Sequence, residues 1–180
     1  ISLDHSHILG DSIEQIAYEK AGIVKKGCPV LTGWLPGTAN ETVKNVAQKN
    51  KAPFHTLASC PEDGELPKTN LIGQHQRRNA ALALKVTEML EGKFPLDPAK
   101  SNQALFKVEL EGRWQVIQEE PMIILDACHN KEGAKALVRQ LDNLPSNKEL
   151  IIWFGALGKE RAQEILPEFA NFVNEIRLFQ

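Results

Sequence analysis

The sequence predicts an α/β protein in which a parallel β-sheet is covered by helices. Short apolar runs of strand length alternate along the chain with segments of helical periodicity. Polar residues follow the ends of several of these runs, most clearly after the run that begins at Met122. Hydrophobic residues make up 42% of the 180 residues and charged residues 24%, as in ordinary globular proteins. This length allows one large or two small domains, and we expect two.

Composition excludes several classes of protein. A net charge of −2 gives no broad basic surface for nucleic acid. No apolar run approaches the ~20 residues needed to span a bilayer, and residues 1–10 do not resemble a signal peptide, so we expect a cytoplasmic protein without membrane contact. The three cysteines are widely spaced without a CxxC pair, so we expect reduced thiols at Cys28, Cys60 and Cys128.

The chain opens on the expected end of a buried strand, residues 1–3. Asp4, His5 and His7 follow where its carboxyl-terminal loop would lie. These three side chains could bind zinc, although the spacing typical of structural zinc ligands is lacking.

Ser12 is a candidate N-cap for the first helix. Within that helix Lys20 falls seven residues after Ile13, on the same face as Ile16 and Ala17. A lysine on a buried face has a lowered pKa, and its neutral amine can react with a carbonyl group or with carbon dioxide. The alternative is a side chain that lies along the apolar surface with its ammonium group in water.

The next segments continue the alternation of strand and helix. Residues 29–32 and 52–57 are predicted strands, and Thr38 with Glu41 forms a predicted capping box for the helix between them. Residues 60–70 are rich in turn residues and predict a surface loop.

A long helix is predicted over residues 73–90, which begin as GQHQRRN and continue as AALALKVTEML. Asn79 lies where the polar and apolar parts meet. We interpret Arg77 and Arg78 as a solvated face of this helix. Asp97 followed by Pro98 predicts the N-cap and first turn of a short helix.

We predict a domain boundary at residues 111–113, which gives domains over residues 1–110 and 111–180. Four strands are expected in the second domain, over residues 114–117, 122–126, 150–154 and 175–179, with helices after the second and third. The segment GALGKE at residues 155–160 is not a P-loop, because Trp153 stands at the first glycine position and Glu160 at the hydroxyl position.

The centre of the second domain is residues 122–134, MIILDACHNKEGA, where an apolar strand runs into Asp126, His129 and Asn130. Ligands of open parallel sheets lie outside such strand ends, and the helix that follows can direct free N–H groups at an anion. The alternative is that Asp126 and Asn130 only cap the helix that begins at Lys131. Gly133 would let that helix approach the strand closely.

Four separated motifs resemble the folylpolyglutamate synthase and dihydrofolate synthase family, relatives of the Mur ligases. They are LDHSHILGDSIEQIAYEKAGI at residues 3–23, GQHQRRNAALAL at 73–84, EGRWQVI at 111–117 and ILDACHN at 124–130. The resemblance implies the C-terminal part of a P-loop-type ATPase domain with a parallel sheet and helices, followed by an incomplete Rossmann-like Mur ligase C-terminal domain.

The resemblance also implies an activity and its ligands. Family members use ATP and Mg²⁺ to join L-glutamate to a folate or dihydropteroate carboxylate through an acyl phosphate, and they are generally monomers. His5 matches a magnesium ligand, and Lys20 matches a lysine that becomes carbamylated and helps to hold a second magnesium ion. Asn79, Arg113 and Asp126 match residues that meet the adenine end, the phosphates and the ribose of ATP. His129 and Asn130 match residues near the phosphates or the acyl phosphate, whereas no role is assigned to Lys159.

The family's P-loop, a hydroxyl ligand and a glutamate ligand to magnesium would precede Asp4 and do not occur in this sequence. We therefore expect a portion of a ligase that does not turn over by itself. Two alternatives are a Mur-type ligase acting on a nucleotide-linked sugar peptide and a non-catalytic truncated domain.

Overall fold

The computed structural model describes residues 10–60, 65–145 and 149–179. The chain divides into two compact units. Unit 1 comprises Ile1–Thr69 and Arg77–Lys107, and unit 2 comprises Asn70–Gln76 and Val108–Gln180. The predicted strand at residues 1–3 and the possible zinc ligands beside it lie outside the described residues.

Helices and short strands alternate in unit 1, as the sequence predicts. In chain order the elements are α1 (Ile13–Ala21), β1 (Val30–Thr32), α2 (Gly37–Lys49), β2 (Phe54–Thr56), α3 (Gln74–Leu90, of which Gln74–Gln76 belong to unit 2) and α4 (Pro98–Ala104). Strands β1 and β2 pair in parallel, with Val30 opposite Phe54 and Thr32 opposite Thr56. The expected parallel pairing is therefore present in unit 1.

The core of unit 1 forms between α1 and α2. Its buried residues are small or β-branched, which lets the two helices approach closely. They are Ala17, Ala21, Ala39 and Val43, and Val30 and Phe54 of the strands pack against them.

Two of the three predicted caps in unit 1 are confirmed. The side chain of Ser12 accepts a hydrogen bond from the Gln15 backbone N–H, and the Gln15 side chain reaches back to the Ser12 backbone, which completes a capping box. Asp97 caps α4, and Pro98 occupies its first turn.

The predicted capping box of Thr38 and Glu41 is wrong. Helix α2 begins at Gly37 after Pro36, without a side-chain cap. The Thr38 side chain instead acts on the carboxyl group of Glu14 in α1, whose pKa it helps to lower, and Glu41 pairs with Lys44 at 3.5 Å. The Thr38 side chain therefore interacts with a neighbouring helix and does not cap α2, as the local pattern had predicted it would.

The interpretation of Arg77 and Arg78 as a solvated face is also wrong. The Arg77 guanidinium donates to the backbone carbonyls of Leu66 and Pro67. The Arg78 guanidinium lies 5.8 Å from the centre of the Trp34 ring, a cation–π distance. Both arginines are half-buried and fasten α3 to loops of unit 1.

Unit 2 contains two further pairs of strands and two helices. Its elements are β3 (Gln115–Glu119), β4 (Met122–Leu125), α5 (Lys131–Leu141), β5 (Ile151–Phe154), α6 (Lys159–Phe169) and β6 (Glu175–Leu178). Strands β3 and β4 form an antiparallel hairpin, whereas β5 and β6 are parallel. Each strand expected in the second domain is present within two residues of its predicted ends.

The core of unit 2 is formed by α5, α6 and β5. Its buried side chains are Ala134, Val138, Phe154, Ile165 and Phe169, with Cys128 packed against them at the edge. The strand β4 thus leads to α5 through a short loop, residues 126–130.

Within the described ranges, no helix combines the length and apolar character needed to cross a membrane.

Candidate functional site

The loop at residues 126–130 carries the predicted polar side chains between β4 and α5. Asn130 is the N-cap of α5, and its Oδ1 accepts a hydrogen bond from the Gly133 backbone N–H at 2.8 Å. A Cβ at Gly133 would lie 3.2 Å from Asn130 Oδ1 and 3.4 Å from Cys128 Sγ, closer than most Cβ contacts. The absence of a side chain at Gly133 therefore lets the first turn of α5 close over this loop.

Asp126 joins this loop to the turn that precedes β3. Its Oδ1 accepts a hydrogen bond from the Cys128 N–H, and its Oδ2 accepts one from the Trp114 N–H, both at 2.9 Å. The Ala127 N–H also donates to the Gly112 carbonyl at 2.8 Å. Asp126 is therefore not the N-cap of α5. Its carboxylate remains exposed, and each oxygen keeps a second lone pair for a ligand.

Arg113 stands between two residues with positive φ, Gly112 at 65° and Trp114 at 47°. This left-handed turn is held by Asp126 and by the Gln115 side chain, which accepts a hydrogen bond from the Gly112 N–H at 2.9 Å. The Arg113 guanidinium donates to the Gly112 carbonyl at 3.4 Å, a long contact that leaves most of its five N–H donors for other partners.

His129 is exposed, and its Nδ1 lies 3.1 Å from the Ala127 carbonyl. If Nδ1 carries the proton for that bond, Nε2 is left as an acceptor. We call Arg113, Asp126, His129 and Asn130 the polar cluster of unit 2.

Asp126 and Arg113 influence the pKa values of two further titratable groups. Burial raises the pKa of the Cys128 thiol to about 11, and the Asp126 carboxylate adds to that rise. Desolvation lowers the pKa of His75, which belongs to unit 2 at the start of α3; Asp126 opposes this shift and Arg113 adds to it. Both pKa shifts favour the uncharged form of the group concerned.

Comparison with known proteins identifies the domain that holds this cluster. A family model described as Mur ligase, glutamate ligase domain, matches residues 112–179. The chain is 31% identical to the dihydrofolate synthase/folylpolyglutamate synthase of Bacillus subtilis over 98% of this chain and 46% of that protein. It is 30% identical to the folylpolyglutamate synthase of Lacticaseibacillus casei over 84% of this chain and 41% of that protein.

Residues 112–179 therefore match a Mur ligase domain, and nearly the whole chain is similar to folylpolyglutamate and dihydrofolate synthases.

A solved folylpolyglutamate synthase, described as a complex with AMPPCP and folate, has the same mixed α/β fold. It superposes with a TM-score of 0.82 at 25% identity and covers 99% of this chain and 48% of that one. The chain thus spans about half the length of the relatives that it matches. The predicted α/β fold with a Mur ligase C-terminal domain is confirmed.

The structure brings four of the seven predicted site residues together, as the polar cluster of unit 2. Asn79 lies on α3 in unit 1, where its side chain is exposed. Lys20 is also in unit 1, in the last turn of α1. His5 lies outside the described residues.

The prediction that Lys20 faces the buried side of its helix is wrong. The buried residues of α1 are Ile16, Ala17 and Ala21, whereas Lys20 is exposed. In the last helical turn its ammonium group lies near the negative end of the helix dipole, and its long stem carries that charge into water. The exposed position agrees with the alternative prediction, a side chain that carries its ammonium group into water, and a carbamate at Lys20 depends on the family resemblance alone.

His75 was not predicted as a site residue from the sequence. In the motif GQHQRRN a histidine four residues before Asn79 carries no signal by spacing, and its place in unit 2 comes from the tertiary fold.

Proposed function

We propose that this chain is part of an ATP-dependent ligase that adds L-glutamate to a folate or dihydropteroate carboxylate. In this proposal residues 1–110 are the C-terminal part of the central ATPase domain, and residues 111–180 are the first part of the Mur ligase C-terminal domain. The observation that carries the proposal is the polar cluster, an arginine, a carboxylate, a histidine and a capping asparagine at the start of α5, within a glutamate ligase domain.

The proposed reaction forms an amide in two displacements. An oxygen of the folate carboxylate attacks the γ-phosphorus of ATP and displaces ADP, which gives an acyl phosphate. The glutamate amine then attacks the carbonyl carbon, loses a proton, and displaces inorganic phosphate. Both steps develop negative charge on phosphate oxygens, so cations and N–H donors at fixed positions are what the protein has to supply.

The polar cluster supplies such groups. Arg113 would bind the phosphates, because a guanidinium group is always charged and presents several donors to phosphate oxygens. Asp126 would accept hydrogen bonds from the ribose hydroxyl groups, for which its exposed oxygens retain lone pairs. His129 and Asn130 stand beside the free N–H groups at the start of α5, a favourable place for an anion.

Asn79 of unit 1 would contact the adenine end of the nucleotide. This assignment rests on the match between residues 73–84 and the family motif, and on the exposed position of Asn79 on α3.

Magnesium is the other proposed ligand, and it would neutralise phosphate charge when bound. By family resemblance its ligands are His5 and a carbamylated Lys20. The described part of the chain contains no group of three or more histidine, cysteine, aspartate or glutamate side chains that could hold a metal ion. Lys20 alone is not a magnesium site, so His5 and residues outside those described would have to complete it.

The test is an assay of the complete gene product for incorporation of radiolabelled glutamate. Dihydropteroate, tetrahydrofolate and a nucleotide-linked sugar peptide serve as alternative acceptors, each with and without ATP. The proposal expects ATP-dependent incorporation with at least one of the two pterin acceptors and none with the sugar peptide. Incorporation only into the sugar peptide would replace it with a Mur-type activity, and no incorporation at all would contradict it.

We further propose that the 180-residue chain alone does not turn over. It spans about half of each relative compared above. Its proposed magnesium ligands are His5 and Lys20, and the described residues contain no group of three or more metal-binding side chains that would complete the site. The same assay performed with the chain alone tests this, and measurable incorporation would refute it. A cytoplasmic location and a monomeric state stay predictions.

A further inference from the structure

Arg113 occupies the middle of a turn in which both neighbouring residues have a left-handed backbone conformation. The angle φ is 65° at Gly112 and 47° at Trp114. Glycine adopts such values readily, whereas a bulky residue adopts them only where the surrounding structure holds it there. The position of Arg113 therefore depends on the contacts that hold the turn.

Hydrogen bonds from three neighbouring residues hold the backbone of this turn. The Ala127 N–H donates to the Gly112 carbonyl at 2.8 Å, and Asp126 Oδ2 accepts from the Trp114 N–H at 2.9 Å. These two bonds fasten the turn to the loop after β4. The third bond runs from the Gly112 N–H to Gln115 Oε1 at 2.9 Å and closes the turn on the first residue of β3.

The hairpin fixes the place from which Gln115 acts. Gln115 lies opposite Leu125 in the paired strands β3 and β4, and Asp126 follows Leu125 directly. The two side chains that hold the turn therefore come from neighbouring strand ends. Gln115 is half-buried, so its amide oxygen satisfies a backbone N–H that is partly shielded from water.

We propose that Gln115 is a positioning residue for nucleotide binding, which acts through Arg113. This inference rests on the proposed function, in which Arg113 binds the phosphates of ATP. The Gln115 side chain holds the backbone on the N-terminal side of the arginine. Without that bond the turn is free to leave its left-handed conformation, and phosphate binding then has to order the guanidinium group as well, which weakens the affinity.

The experiment measures binding of the non-hydrolysable analogue AMPPCP to the complete gene product by titration calorimetry. Gln115→Met keeps the length of the side chain without its strong acceptor, whereas Gln115→Glu keeps an acceptor oxygen. We expect Gln115→Met to weaken binding about fivefold, the effect of one net hydrogen bond, and Gln115→Glu to bind nearly as tightly as the unsubstituted protein.

Gln118→Met is the matched control. Gln118 is an exposed glutamine of the same strand, and its amide donates to the carbonyls of Glu120 and Pro121 at the other end of the hairpin. This substitution also removes side-chain hydrogen bonds of the hairpin, so it reports any effect of general loosening. We expect it to leave the affinity for AMPPCP unchanged.

A second comparison separates positioning of Arg113 from a merely structural role. Gln115→Met is combined with Arg113→Ala, and AMPPCP binding is followed by ligand-detected NMR, which is suited to weak affinities. If Gln115 acts through the arginine, Gln115→Met has no further effect once the guanidinium group is gone.

Three results would overturn the inference: unchanged affinity in Gln115→Met, a loss in Gln115→Glu as large as in Gln115→Met, or the same fivefold loss with and without Arg113. Failure of the unsubstituted protein to bind AMPPCP would instead contradict the proposed function itself, so the two failures are distinguishable.

Discussion

The carboxylate of Asp126 accepts a hydrogen bond from the backbone N–H of Trp114 at 2.9 Å, across twelve residues of sequence. Its other oxygen holds the N–H of Cys128 at the same distance. One side chain therefore joins the turn that carries Arg113 to the loop that carries His129 and Asn130. Asp126 has a structural task in addition to the ribose contact proposed for it, and substitutions there should affect stability as well as binding.

Substitution of Asp126 by asparagine should lower the free energy of unfolding by about 1–3 kcal/mol. The amide offers one oxygen, so its NH₂ group must face the N–H of either Trp114 or Cys128. Urea unfolding followed by circular dichroism measures this loss. Asp142→Asn is the matched control, because Asp142 is exposed at the end of α5. Equal stability of the two variants would show that the carboxylate does not hold the turn.

Substitution of Gly73 by alanine should destabilise the protein more than the same change at Gly27. Both glycines have positive φ, 109° and 68°, which costs alanine about 1 kcal/mol at either site. Only at Gly73 does the new Cβ also meet side chains, those of His75 and Gln140, whereas nothing lies within 4 Å at Gly27. We expect an additional loss of about 1 kcal/mol or more at Gly73 from overpacking, measured by urea unfolding. Equal losses would mean that the packing of His75 on Gly73 is absent in solution.

Cys128 should react more slowly with iodoacetamide than Cys28 or Cys60. Its thiol has a pKa raised to about 11 from an ordinary value near 9.0, and it is half-buried, whereas the other two cysteines are exposed. At pH 8 a thiol with a pKa of about 11 has about a hundredfold less thiolate than a thiol with a pKa of 9.0.

The rate of Cys128 alkylation should therefore increase as pH rises from 8 towards 11, where the thiolate forms. Mass spectrometry of the three alkylated peptides over time measures the rates in one sample. Labelling of Cys128 at pH 8 as fast as that of Cys28 would contradict both its burial and the influence of Asp126.

Replacement of Lys20 by alanine should reduce glutamate incorporation by the complete gene product at least about a hundredfold, as expected for loss of a group that stabilises transferring charge. Lys26→Ala is the matched control, since Lys26 is exposed in the turn after the same helix. Unfolding measurements should show both variants to be equally stable, because neither side chain is buried. Full activity in Lys20→Ala would show that this exposed lysine has no role in the reaction.

Local signals in the sequence predicted local structure well. Ser12, Asp97 and Asn130 are found at the starts of their helices, because an N-cap needs only its own next three residues. Gly133 was predicted to let α5 approach the strand, and the atoms nearest to a Cβ built there belong to Asn130 and Cys128 in the loop after β4.

Predictions that needed tertiary contacts were less successful. Thr38 influences Glu14 on another helix, and Arg77 and Arg78 have partners in loops that periodicity does not place beside them. For Lys20 the helical-face argument left two alternatives open, and its exposure in the last turn of α1 agrees with the one that places its ammonium group in water. His75 belongs to unit 2 because residues 70–76 pack within that unit, a tertiary association that no spacing rule predicts.

The most direct test of the proposed acyl phosphate is to follow one oxygen atom. The complete gene product is given ATP, glutamate and an acceptor folate or dihydropteroate whose carboxylate is labelled with heavy oxygen, and the released inorganic phosphate is examined by mass spectrometry. The account predicts one labelled oxygen in the phosphate for each amide formed, because the attacking carboxylate oxygen leaves with the phosphoryl group. Amide formation with unlabelled phosphate would contradict it.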